Sequence, residues 1–227
     1  MILRRWEDLP EIMQTPEVRK YYDILCRKKG TLVCKRILDI AAALILLVLL
    51  SPAFLAVAIA VKTESNGPVI YRQIRVTRYN RYFLIYKFRS MILTEGEELQ
   101  LTVSGNERIT KVGSFIRKYR LDEIPQLVNV LKGDMTFVGT RPEVPRYVDY
   151  YTPEMMATLL LRAGVTGNAS IEYKEEESRL AEAADPVRYY IDTILPAKMQ
   201  YNQKDIEELG LAHDFRILVR TVTSVFR

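Results

Sequence analysis

The chain has 227 residues, 48% of them apolar, with a formal net charge of +5 and a pI of about 9.1. This composition excludes a disordered chain, leaves room for one domain with a real core plus an accessory segment, and points to an anionic partner: nucleic acid, anionic lipid or a phosphorylated substrate. Two cysteines, Cys26 and Cys34, cannot build a disulfide framework or a common zinc pattern, and a single histidine, His213, leaves no multi-histidine metal site and argues against a Ser-His-Asp triad.

In chain order, residues 1–33 read as a polar, aromatic-bearing leader with a helix from about Pro16 to Arg27. Residues 37–61, ILDIAAALILLVLLSPAFLAVAIAV, carry one charge, Asp39. As one straight helix the run would be roughly 37 Å long, against a hydrocarbon core of about 30 Å. A simple transmembrane anchor is the plain reading, and a buried core helix is the soluble alternative. Ser51-Pro52 breaks the run in its middle, where proline removes an amide donor and clashes with the preceding turn. Both flanks are basic, with Lys35 and Arg36 before and Lys62, Arg72, Arg75 and Arg78 after. Lys and Arg favour the cytoplasmic side, so a re-entrant helix–break–helix that returns both ends to that side competes with the spanning reading.

Residues 69–90 hold two β-rich runs around Arg78-Tyr79-Asn80-Arg81, where Asn80 tolerates positive φ; the pattern predicts a hairpin. Residues 92–104 are helical by composition, and Gly105-Asn106 makes a turn. Ile124, Leu127, Val128 and Leu131 then follow the spacing of one helix face, with Pro125 in the first turn and Gly133 at the C-cap. Met155, Met156, Leu159 and Leu160 form a further apolar stripe, as do Phe215, Leu218, Val222 and Val225. Such stripes are either core or helices lying in a membrane interface. The acidic run Glu175-Glu176-Glu177 reads as a solvated face.

The spacing places Asp122 and Glu123 at the mouth of the helix that follows. A helix cap with a favourable charge is the plain reading. The basic residues before the pair, Arg108, Lys111, Arg117, Lys118 and Arg120, support another. Basic side chains at a helix N-terminus attract an anion, and two carboxylates there tolerate one when a divalent cation bridges them. A carboxylate can also attack phosphorus. Alternation on the strand puts Lys87 and Arg89 on one face, and the turn at Gly139-Thr140-Arg141-Pro142 fixes one arginine suited to phosphate. There is no Walker or Rossmann glycine motif.

Taken together the sequence resembles the bacterial sugar transferase family, the small monotopic phosphoglycosyl transferases. The resemblance runs from about Lys35 to Arg227. It rests on Ser51-Pro52, Gly67-Pro68-Val69, Lys87-Phe88-Arg89-Ser90-Met91, Arg117 and Leu121-Asp122-Glu123-Ile124-Pro125-Gln126-Leu127, then Asn129 to Met135, Val138 to Pro142 and Gly164-Val165-Thr166-Gly167. It implies transfer of a sugar-1-phosphate from a UDP-sugar to polyprenyl phosphate, with release of UMP and an aspartyl-phosphosugar intermediate on Asp122. Glu123, with Asp122, would hold Mg²⁺. Lys87, Arg89, Arg108, Arg117, Arg141 and Pro142 would contact substrate. The implied fold is helix-rich α+β: a leader at 1–33, a re-entrant membrane hairpin broken at Ser51-Pro52 over 34–64, and a cytoplasmic catalytic domain over 65–227. That domain would hold a small β-hairpin and amphipathic interfacial helices around the active site, on the inner membrane.

The chain departs from the family pattern at Thr77 and Asn80 in the hairpin turn, Asn106-Glu107-Arg108, Thr140 and Ala163; none touches the dyad. Two rivals stand beside the enzyme: a membrane-tethered basic binding protein and a catalytically dead scaffold. Tyr71, Tyr79, Tyr82 and Tyr86 among arginines have the look of a single-strand platform, but alternating strand faces explain them equally, and nucleic acid is not expected as a partner. The stripe at 215–225 suits either a homodimer or the bilayer.

Overall fold

A computed structural model describes residues 3–92 and 108–225. The helix expected over 92–104, the turn at Gly105-Asn106 and the tail at Phe226-Arg227 fall outside the described residues, apart from Ile92.

Helix α1 spans Pro16–Arg27. The Thr15 side chain accepts from the Val18 amide, Pro16 sits in the first turn, and Arg27 closes the last. Its buried face, Val18, Tyr21, Tyr22 and Leu25, follows the helical period. Leu3, Leu9 and Met13 precede it into the same core. The first residues therefore pack with the protein: they share one apolar cluster with Val144 to Leu209 and with the hairpin tip at Val76 and Tyr79.

The apolar run divides at Leu50 into α2 (Lys29–Leu49) and α3 (Ser51–Glu64), bent by 62°. Pro52 lies in the first turn of α3, where its missing amide costs nothing, and the Ser51 hydroxyl donates to the Val48 carbonyl at 2.8 Å. Among the described residues no single helix is long and apolar enough to cross a membrane. Ile37, Leu38, Ile45, Val48, Leu49, Leu55 and Ile59 are exposed. Asp39, the one charge in the run, is buried against the rest of the protein: it accepts from the Thr136 hydroxyl at 2.6 Å and the Phe137 amide at 3.3 Å.

Strands β1 (Ile70–Thr77) and β2 (Arg81–Phe88) pair antiparallel from Ile70↔Phe88 to Thr77↔Arg81. The tip, Arg78–Asn80, holds Asn80 at φ 55°, as expected, and also Tyr79 at φ 59°. A bulky residue in that region is strained. Arg4 offsets this, donating its amide to the Tyr79 hydroxyl at 3.0 Å and stacking its guanidinium 4.7 Å from the ring centre.

Helix α4 (Lys111–Lys118) leads into a single 3₁₀ turn, Leu121–Glu123, and then α5 (Gln126–Lys132). Gly133 ends α5 at φ 84°, as the sequence predicts. Arg36 of α2 donates to the Val130 and Leu131 carbonyls at this end. Strands β3 (Met135–Val138) and β4 (Ala163–Thr166) pair parallel, and Gly164 is required there: a Cβ would lie 2.3 Å from the Gly139 carbonyl oxygen. Between them come α6 (Pro145–Val148) and a 3₁₀ segment, Met155–Leu160, whose six residues are all buried. That stripe is core.

The last third holds α7 (Asn168–Glu172), α8 (Glu176–Glu182), α9 (Pro186–Tyr189), a π-helical turn at Tyr190–Ile194, α10 (Leu195–Glu207) and α11 (Leu211–Val225). On α11 the stripe remains exposed at Phe215, Leu218 and Val222. A second apolar cluster joins α2 and α3 through Ala43, Val57 and Val61 to Phe83, Phe88, Ile116, Ile124 and Leu127. The chain is thus helix-rich α+β, with two two-stranded sheets among the described residues.

Candidate active site

The dyad sits in the 3₁₀ turn just ahead of α5. Arg120 enters it at φ 57°, a left-handed conformation that costs a non-glycine residue roughly 1–2 kcal/mol. Asp122 is 6% exposed, and its Oδ1 is buried without a hydrogen-bond partner among the described residues. Glu123 is the reverse: its Oε1 accepts from the Arg141 guanidinium and lies 3.5 Å from Lys87 Nζ and 3.7 Å from Arg120 Nη1.

These surroundings drive the two carboxyls apart. Burial raises Asp122 above the ordinary aspartate range, and Glu123 adds to the rise, against the opposing pull of Lys87. Burial pushes Glu123 up as well, but Arg141 and Lys87 outweigh it and leave this carboxyl far below its usual range. The Glu123 charge in turn raises Arg141. Burial lowers Lys87, with Glu123 opposing.

Both carboxylates open on a cavity of about 750 Å³, within the range of small-molecule sites. Lys87, Arg117, Arg141 and Pro142, the residues that the resemblance implies contact substrate, line it with them. Leu50, the residue at the helix break, also lines it.

Two expected substrate contacts lie elsewhere. Strand β2 ends at Phe88, and Arg89 turns to the end of α3, where its guanidinium donates to the carbonyls of Val61, Ser65 and Asn66 at 2.7–3.3 Å. Only 3% exposed, Arg89 ties the apolar helix pair to the hairpin and is absent from the lining. Arg108 also lies outside the lining, beside the bridge between Met91 and Ile109. The acidic run is a solvated face only in part: Glu175 is exposed, but Glu177, itself about half exposed, pairs with Arg117, and Glu176 accepts from Lys198 at 2.9 Å.

Sequence reasoning missed Arg75, Glu143, Tyr190 and Lys198, which also line the cavity. Arg75 had a signal, a basic residue on a strand leading to the site. Tyr190 and Lys198 had none, because only tertiary packing brings them to Glu143.

Among the described residues no three His, Cys, Asp or Glu side chains form a metal cage. The unpartnered Asp122 oxygen beside Glu123 does fit a magnesium ion, which is usually held by one or two carboxylates and completed by substrate phosphate and water.

A family model described as bacterial sugar transferase matches residues 30–227. The chain is 39% identical over 195 residues to the UDP-N-acetylgalactosamine-undecaprenyl-phosphate N-acetylgalactosaminephosphotransferase of Aeromonas hydrophila, covering 84% of this chain and 43% of that protein. It is 37% identical over 195 residues to the UDP-glucose:undecaprenyl-phosphate glucose-1-phosphate transferase of Caulobacter vibrioides, covering 84% and 69%. The undecaprenyl-phosphate galactose phosphotransferase of Salmonella typhimurium is 37% identical over 156 residues, covering 62% and 33%. The chain thus spans less than half of the first and third relatives and about two thirds of the second. On its sequence and on these matches, the chain belongs to the bacterial sugar transferase family.

Proposed function

We propose that the chain transfers a sugar-1-phosphate from a UDP-sugar to a polyprenyl phosphate, with Asp122 as nucleophile. The observation that carries this is the pairing at the dyad: a buried carboxylate with an unused oxygen, next to one held by three cations, in a cavity rich in Lys and Arg. An Asp122 oxygen attacks the phosphorus that bears the sugar. The bond from that phosphorus to the bridging oxygen breaks, and UMP leaves with the electron pair. An oxygen of the polyprenyl phosphate then attacks the same phosphorus and releases the Asp122 carboxylate, giving polyprenyl-diphosphate-sugar. Lys87, Arg117 and Arg141 stabilise the phosphate charge as it shifts. Glu123 keeps Arg141 and Lys87 in place and, with Asp122, would hold Mg²⁺, which supplies charge neutralisation at the diphosphate.

The bent pair α2–α3 supports a re-entrant membrane element. Its exposed aliphatic face suits lipid, its charged residue is buried in the protein, and its break at Leu50 opens on the cavity, where an acceptor headgroup would enter. With both flanks basic, residues 65–227 would form a catalytic domain on the cytoplasmic face of the inner membrane, with α11 lying in the interface. The relatives' names leave the sugar open among glucose, galactose and N-acetylgalactosamine.

The test is UMP release from protein in nanodiscs given a UDP-sugar panel, polyprenyl phosphate and Mg²⁺. Release that stops on chelation and in Asp122→Asn is the expected result. Undiminished release under either condition would refute the assignment.

A further inference from the structure

A second charged cluster lines the cavity. Tyr190, 1% exposed, donates its hydroxyl to Glu143 Oε1. Lys198 Nζ lies 2.9 Å from Glu176 Oε2, 3.3 Å from the Tyr190 hydroxyl and 3.6 Å from Glu143 Oε1. The Lys198 and Glu143 side chains are only 8% and 9% exposed. Such a network is weak evidence for a stabilising role, since well-packed apolar residues in place of a buried ionic network are often neutral or stabilising. The local backbone is also irregular: Tyr190 opens a π-helical turn between α9 and α10, a feature frequent at functional sites.

The cluster connects to the dyad along one short stretch of chain. Glu143 lies two residues after Arg141, whose guanidinium binds Glu123. The main chain of that stretch is fixed on several sides: the Gly164 amide donates to the Thr140 carbonyl at 2.7 Å, Arg75 to the Pro142 carbonyl at 3.1 Å, and the Val76 amide to the Glu143 carbonyl at 2.9 Å. The Glu143 side chain is held by Tyr190 and Lys198.

We infer that Tyr190 and Lys198 are positioning residues, which hold Glu143 and thereby set the Arg141 guanidinium against Glu123. The inference rests on the functional reading above. It assigns to α10 and the π-helical turn a part in the chemistry, exerted through Glu143 and Arg141. Glu176 completes the cluster by taking up the remaining Lys198 charge.

A double-mutant cycle tests it. Tyr190→Phe, Lys198→Met and Lys198→Arg are made in the wild-type and Arg141→Lys backgrounds, and kcat and donor KM for UMP release are measured in nanodiscs beside melting temperature. Tyr190→Phe and Lys198→Met should each lower kcat/KM about tenfold, the scale of one lost hydrogen bond in a charged network. Lys198→Arg should recover part of the loss. In the Arg141→Lys background the same changes should cost less than about threefold, because the residue they act through is already displaced. Full losses persisting in that background, or losses that track a lower melting temperature in every variant, would overturn the inference while leaving the functional reading intact. Wild-type protein that releases no UMP from any donor would overturn the functional reading, and the inference with it.

Discussion

Two charged clusters line one cavity, and they differ in how completely they are satisfied. Around Glu143, Tyr190 and Lys198 every charge faces an opposite charge or a hydroxyl within 3.6 Å. At the dyad, Glu123 collects Arg141, Lys87 and Arg120, while Asp122 beside it keeps a buried oxygen with no partner. Few buried polar atoms in native proteins lack a partner, and this one belongs to a residue that lines the cavity. The satisfied cluster holds geometry, and the unsatisfied one is where chemistry is expected. Adjacent carboxylates acquire different tasks because their surroundings push them in opposite directions.

Removing the unsatisfied charge breaks this contrast most severely. Asp122→Asn should lower turnover at least about a thousand-fold, as loss of a nucleophile does. It should melt no lower than wild type at neutral pH. The sign follows from the raised Asp122 pKa: the folded state holds that proton more tightly than the unfolded chain, so the stabilising contribution is full below the ordinary aspartate pKa and lost as pH rises through the folded one. Side-by-side kinetics and calorimetry check both halves, and a large drop in melting temperature would assign Asp122 to structure.

Arg141→Ala attacks the satisfied partner. It leaves Glu123 buried with weaker cations, so activity and stability should fall together: about a hundred-fold in kcat/KM and several degrees in melting temperature. Activity lost with stability untouched would show that the Arg141–Glu123 pair is not what holds the site.

A pH profile probes the dyad's electrostatics. If ionised Asp122 is the nucleophile, the rate falls on acidification along a limb above about pH 3.9, the ordinary aspartate value. Burial raises that limb and Lys87 restrains it, so Lys87→Met should move it to higher pH. An unmoved or lowered limb would assign it to another group. The smallest effect belongs to the partly exposed Glu177: Glu177→Gln frees Arg117 and should lower donor KM no more than about fivefold, with a melting change near zero.

The turn that carries the dyad was legible because its signals are local: the helical period from Ile124, the proline at Pro125 and Gly133 at the end of α5 fix it within a dozen residues. The hairpin and its positive-φ tip were legible by alternation and turn chemistry. Residues whose partners are distant were not. Arg89 sits at the predicted spacing from Lys87, but its strand stops at Phe88 and the guanidinium finds carbonyls 23–28 residues back. Asp39 stood out as the one charge in an apolar run, yet its partner Thr136 is 97 residues away. The two apolar stripes read alike in sequence: one is sealed beneath α1, while the other stays bare on α11, and only packing tells them apart. The acidic run read as wholly solvated because the partners of Glu177 and Glu176, Arg117 and Lys198, lie 60 and 22 residues away in the chain.

The most direct measurement is intact-protein mass spectrometry of wild type and Asp122→Asn, incubated with Mg²⁺ and the UDP-sugar panel in the absence of polyprenyl phosphate. A mass gain of one sugar phosphate on wild type alone, discharged when polyprenyl phosphate is added, is the expected result. UMP release with no such adduct, or an equal adduct on Asp122→Asn, would contradict Asp122 as the residue that carries the phosphosugar.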